Sequence, residues 1–166
     1  MKSKVFFVSA FLLFLVGCGF HLRGAITLPS QYKTAYIMSE SERYDRDSLA
    51  HMIQTRLGSS LTFLDSPDNA DLEIIIDESY QERAVASNIG GQHREYTHYY
   101  RADISVVDKD GHVIMPRQNF SKSKDFSHDE SDVLGKAAGE AVVKRELAED
   151  LSMMFVRRLT ALLAQQ

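Results

Sequence analysis

The chain has 166 residues, 44% hydrophobic and 25% charged, with a formal net charge of -4, a single cysteine and no tryptophan. This length suits one domain with a workable core, and the negative balance excludes general binding to nucleic acid or anionic lipid surfaces. One cysteine excludes a disulfide within the chain.

Lys2 and Lys4 precede the uncharged run 5–16. Together they read as the positive and apolar regions of a secretory signal. The run is too short for a bilayer core, which takes about 20 apolar residues. It is apolar on all sides, so it lacks the polar face of a core helix. Leu15-Val16-Gly17-Cys18 follows and resembles the lipobox of bacterial lipoproteins. That resemblance implies lipidation of Cys18, cleavage just before it and acylation of the new amino terminus. Three acyl chains would hold the protein almost permanently, since each buried methylene contributes roughly 0.8 kcal/mol. Gly19 stands where enterobacterial lipoproteins retained in the inner membrane carry aspartate, which implies the outer membrane, facing the periplasm. Loss of Lys2 and Lys4 takes the basic residues from 19 to 17 against 23 acidic ones, and the net charge from -4 to -6. The expected division is 1–17 as signal peptide, 18–31 as lipid-anchored tether and 32–166 as a single domain.

Phe20 to Ser30 reads as extended, with Pro29 interrupting it. Lys33–Ser39 has the branched and aromatic content of a first strand. Leu49, Met52, Ile53 and Leu57 recur at helical spacing, and Gly58 closes that helix. Ser66-Pro67-Asp68-Asn69 marks a turn. Leu72, Ile74 and Ile76 share one parity in a second strand that can continue to Ala86, and Asn88–Gly91 is a plausible turn. In the third strand Tyr96, His98, Tyr100, Ala102, Ile104 and Val106 face one way and Thr97, Arg101, Asp103 and Ser105 the other. Asp108-Lys109-Asp110-Gly111 is a hairpin connection. A fourth strand runs from His112 to about Phe126, and Pro116 places it at a sheet edge or bulge.

Asp129, Ser131 or Asp132 can cap a last helix from Val133 to Ala164, whose stripe is Leu147, Leu151, Met154, Phe155, Leu159 and Leu162. At 1.5 Å per residue it would be roughly 48 Å long. That length exceeds what a small sheet covers, so its early part, with Gly135 and Gly139, is expected to be irregular or to pack elsewhere. The order predicts an α+β two-layer sandwich. Its two helices, the C-terminal one long, pack on one face of a roughly four-stranded mixed sheet. The other face carries Tyr99, Arg101 and their neighbours.

Catalytic patterns are absent: no Gly-x-Ser-x-Gly, no His-Glu-x-x-His and no P-loop. His93 and His98 are five apart, so on a strand they point to opposite faces and do not form a metal pair. Neither an enzyme nor a cofactor or metal is expected. Lys122 and Lys124 share a face of the fourth strand, Arg94 and Arg101 lie on the third, and Lys136 opens the last helix. These groups are either a solvated mixed-charge surface or a small patch for lipid phosphates.

Cys18-Gly19-Phe20-His21-Leu22-Arg23 resembles the mature start of the LptE (RlpB) family of lipopolysaccharide-assembly lipoproteins. The rest agrees in order: a Leu-Pro tether, a strand, a helix, three strands with Glu95-Tyr96 ahead of an alternating run, and a long helix containing Val143-Lys144-Arg145-Glu146. The resemblance implies a non-enzymatic outer-membrane lipoprotein. Such a subunit plugs the lumen of an LptD-type β-barrel, assists its assembly and helps insert lipopolysaccharide at the cell surface. It also implies basic contacts to lipopolysaccharide. Lys136 matches by position, and Arg94 is a weaker match, because Ile89 stands where the family has a second basic residue. Lys122 and Lys124 complete the candidate set. Lys136→Glu is then expected to weaken lipopolysaccharide binding without changing the melting temperature. The alternatives are a membrane-tethered periplasmic lipid carrier, or an accessory lipoprotein of another envelope machine.

Overall fold

The computed structural model describes residues 28–40, 45–87, 93–129 and 133–165. Strand β1 (Thr34–Ser39) leads into helix α1 (Leu49–Leu57) and a short strand β2 (Thr62–Phe63). A single 3-10 turn (Pro67–Asn69) precedes three long strands, β3 (Leu72–Ser87), β4 (His93–Asp108) and β5 (Val113–Asp129). Helix α2 (Val133–Leu163) ends the domain. Cys18, the turn expected at Asn88–Gly91 and the candidate helix caps Ser131 and Asp132 lie outside the described residues.

The sheet has five strands in the order β2-β1-β3-β4-β5. The strand beyond the expected four is β2, which pairs in parallel with β1 through two residue pairs, Thr34 with Thr62 and Ala35 with Phe63. β1 also runs parallel to β3, whereas β3, β4 and β5 form an antiparallel meander. The sheet is therefore mixed. Parity decides its two faces. Ala35, Ile37, Leu72, Ile74, Ile76, Ala102, Ile104 and Val106 are buried toward the helices. Tyr99, Arg101 and Ser105 lie on the open side, with Asp77 and Ser79 of β3.

α1 starts at Ser48, whose hydroxyl accepts from the His51 N–H at 3.1 Å, an N-cap that satisfies one orphan donor. Its Leu49, Ile53 and Leu57 enter the core. α2 contributes Val143, Leu147, Leu151, Phe155, Leu159 and Leu163, one every four residues. Four residues overshoot a turn by about 40°, so this stripe drifts around the axis. The drift brings Ser152 against α1, where its hydroxyl accepts from Arg56 Nε at 2.7 Å. Met154 stays 37% exposed on the solvent side, unlike the stripe expected for it.

The length of α2 is matched by the sheet. β4 has 16 residues and β5 has 17, so they extend about 50 Å at roughly 3.3 Å per residue. The helix, 31 residues and unbroken through Gly135 and Gly139, therefore has sheet beneath its early part as well. Gly139 makes that approach possible: a Cβ there would sit 2.6 Å from Phe126 Cε2 and nearer still to Cζ.

β5 is an edge strand, as Pro116 requires, and the register also shifts beside it: Ile104 faces Gln118 but Val106 faces Met115. The bulge places Pro116 where no ladder donor is needed. Before β5, Gly111 takes φ 83° in the hairpin, the one positive φ among the described residues.

Asp71 fixes where β1 begins. Its Oδ2 accepts from the Lys33 and Thr34 N–H groups at 2.8 and 3.0 Å and from the Thr34 hydroxyl at 3.0 Å. Those two backbone bonds hold its carboxyl below the ordinary value of 3.8. The folded chain thus binds this proton less readily than the unfolded chain. The stabilisation is present above the unfolded value and fades as pH falls through the folded one. Asp71→Asn is expected to cost about 1–2 kcal/mol at neutral pH. It should also flatten the loss of stability below about pH 4, which urea unfolding at pH 7 and pH 3 would show.

Candidate functional site

The flank where α2 crosses the outer halves of β4 and β5 carries most of the basic candidates. His98, Tyr100 and Phe120 point toward the helices, and cross-strand pairing puts Lys124 opposite His98 and Lys122 opposite Tyr100. Both lysines therefore lean to the helix side of the edge strand. Lys124 pairs with Glu146, and Lys122 Nζ lies 3.7 Å from Asp150 Oδ2. Glu146 and Asp150 are one helical turn apart, which is why two alternate lysines on a strand can each find one.

Lys136 lies farther toward the start of α2. Its ammonium sits 4.9 Å from the centroid of the Tyr96 ring and 3.4 Å from Glu140 Oε1. Partial desolvation pulls its pKa down, but the hydrogen bond and charge of Glu140 outweigh it, with Tyr96 and Glu82 adding to the rise. Arg94 stands in β4 opposite Ser87 and His128; its side chain lies outside the described residues. The structure thus brings Lys122, Lys124 and Lys136 to one flank and gives each an acid on α2.

Beneath this flank is an aromatic layer. His98 is fully buried. Its Nδ1 lies 2.8 Å from the Tyr80 hydroxyl, and its ring stacks on Tyr80 at 5.7 Å and meets Phe126 edge-on at 5.8 Å. Its Nε2 has no protein partner among the described residues. Tyr100 donates to Glu78 Oε2 at 2.6 Å, and burial together with that bond drives its phenol pKa far up. These side chains set the height at which α2 rides over the sheet.

The spacing of Lys136 and Glu140 could have signalled their ion pair, since i and i+4 are neighbours on a helix. The seat of Lys136 on Tyr96 could not, because it depends on where α2 lies. The geometry revises the Lys136→Glu expectation. A carboxylate at 136 would lose the cation–π contact, worth about 0.5–1 kcal/mol, and would repel Glu140 by a few tenths more. The melting temperature is expected to fall by about 2–4 °C. A thermal melt checks this, and binding comparisons should use Lys136→Gln, which adds no charge.

These features define a class: a two-layer α+β domain with both helices on one side, one open sheet face, and an edge strand lined with lysines. Solved structures share the fold. An uncharacterised lipoprotein B of Nitrosomonas europaea aligns over 86% of this chain and 91% of its own, with TM-score 0.65 at 18% identity. A minor lipoprotein of Acinetobacter baumannii aligns over 80% and 94%, with TM-score 0.61 at 15% identity. At such identities the likeness is one of fold. The sequence model of the LptE family, described as lipopolysaccharide-assembly, matches residues 32–159. The chain belongs to the LptE family. It is 27% identical to the LPS-assembly lipoprotein LptE of Photorhabdus laumondii, over 89% of this chain and 79% of the relative. It is 29% identical to that of Yersinia enterocolitica, over 96% and 77%.

Proposed function

We propose that this protein is an outer-membrane lipoprotein subunit of the lipopolysaccharide translocon. It is anchored through Cys18, with 1–17 removed and 18–31 as the tether. Residues 32–166 plug the lumen of an LptD-type β-barrel, assist its assembly and support lipopolysaccharide insertion without catalysing a reaction. The observation that carries this reading is the family match over 32–159.

The surface is compatible with such a seat. Barrel interiors are polar, and this domain presents charged side chains along β5, α2 and the open sheet face. Lysines along the edge strand also discourage strand addition by a stray chain. In this reading Lys136, with Arg94, Lys122 and Lys124, meets lipopolysaccharide phosphates. The ion pairs that hold three of them are exposed or half-exposed. Such pairs are worth about 0–1 kcal/mol, so a phosphate can displace the acid at little cost.

The test is affinity purification of the tagged full-length protein from detergent-solubilised outer membranes. A large β-barrel retained near stoichiometry, shielding the lipoprotein from protease, is the expected result. Recovery of the lipoprotein alone, or with a different envelope machine, overturns the reading.

A further inference from the structure

The open face of the sheet is divided by charge. At one end Asp77 and Asp103 are paired: Arg117 Nη2 reaches Asp77 at 2.5 Å and Asp103 at 3.3 Å, and Asn119 donates to Asp103 at 2.8 Å. Asp125, on the edge strand, accepts from the Thr97 hydroxyl at 2.7 Å. Between them lies a groove of about 260 Å³ lined by Ser79, Gln81, Arg83, Tyr99 and Arg101.

Register builds this groove. Ser79 faces Arg101 and Gln81 faces Tyr99 across β3 and β4, so small and large side chains alternate. On the far side Arg101 and Tyr99 face Ser121 and Ser123 of β5, which leaves both long side chains standing above short neighbours. The Arg83 guanidinium leans over the Tyr99 ring, 5.7 Å from its centroid, and lines the same groove as Arg101. Tyr99 keeps 42% of its surface exposed. Arg101 keeps a longer-range attraction to Asp103, whose pKa it helps to lower, but neither arginine is held by a direct ion pair among the described residues, on a chain of net charge -4.

We propose that this groove binds a phosphorylated saccharide, with Arg83 and Arg101 clasping the phosphate and Tyr99 carrying the sugar ring. Guanidinium forks match phosphate oxygens in geometry and charge. An exposed tyrosine offers a flat apolar surface to a pyranose, and Ser79 and Gln81 supply hydrogen bonds to its hydroxyls. The site is separate from the Lys136 flank, because the odd-numbered residues of β4 point away from the helices. The groove stands independently of the barrel reading; only the identification of its natural ligand as lipopolysaccharide rests on that reading.

The experiment is a protein-observed NMR titration of the full-length chain in nonionic detergent, with glucose 1-phosphate, glucose and inorganic phosphate as separate probes. Glucose 1-phosphate is expected to shift the Tyr99 ring and both guanidinium signals and to bind at least fivefold tighter than phosphate; glucose should bind more weakly than either. The Arg83→Gln/Arg101→Gln double variant should weaken glucose 1-phosphate binding at least tenfold while melting no more than about 4 °C below the parent, the loss expected from its Arg83–Tyr99 contact. Tyr99→Ala should remove the preference for sugar phosphate over phosphate. Unaltered binding by the double variant overturns the proposal, as does equal binding of phosphate and sugar phosphate by the parent. A double variant that binds sugar phosphate normally but loses its barrel partner on purification also overturns it, in favour of a protein contact. If the parent binds through the groove yet purifies without a barrel, the groove stands and the translocon reading falls.

Discussion

Phe155→Ala is expected to lower the unfolding free energy by about 3–5 kcal/mol. Phe155 is fully buried and meets Phe120 of the edge strand edge-to-face at 6.1 Å. It stands midway along the stripe of α2 that reaches both the sheet and α1, so no single element can collapse into the space it leaves. Aromatic pairs add about 0.5–1.5 kcal/mol beyond the area they bury, and that part is lost as well. Urea unfolding of the purified protein measures the change as a lower midpoint with the slope preserved. A loss below about 1 kcal/mol would mean that the two layers are not closed around this ring. Phe155→Leu, which keeps most of the volume, is expected to recover more than half of the loss.

Gly139→Leu is expected to destabilise the protein by about 1–3 kcal/mol, against the local preference of the helix. In an exposed helix interior, replacing Gly gains about 1 kcal/mol. Here the added atoms meet the Phe126 ring, which is itself wedged against His98. Either the ring swings out or the start of α2 lifts, and in the second case Lys136 leaves Tyr96. The discriminating measurement is a double-mutant cycle with Phe126→Ala. Removing the ring should turn Gly139→Leu from harmful to neutral or favourable, with a coupling of about 1–3 kcal/mol. Additive effects would show that the close approach does not govern the site.

Much of the fold was legible locally. The alternation of Leu72, Ile74 and Ile76, and of the even residues from Tyr96 to Val106, depends only on a period of two. It reports which side chains will be buried before any partner strand is known. The spacing of Leu49, Ile53 and Leu57 likewise defines a helix face, and Pro116 marks an edge because it lacks a donor wherever it stands. β2 was not legible. Two residues carry no period, and Thr62 and Phe63 become a strand only because α1 returns the chain beside β1. Nor was the continuity of α2 across Gly135 and Gly139. Glycine lowers intrinsic helix preference, but the cost is offset by packing on strands long enough to support the helix.

The candidate site divides the same way. The sequence by itself determined which groups exist: the Lys-rich and apolar segment before Cys18, the lysines on one face of β5, the Lys136–Glu140 spacing, and the two parities of each long strand. Those properties follow from covalent order and the periods of helix and strand, which need no tertiary partner. Only the tertiary structure decided which groups meet. Lys136 over Tyr96, Lys122 and Lys124 against the acids of α2, Phe126 against Gly139, and Arg83 over Tyr99 all join residues on different elements. Their meeting depends on strand register and on the height of α2 above the sheet. Register and height are set by the packing of many side chains at once, so no short stretch of sequence encodes them.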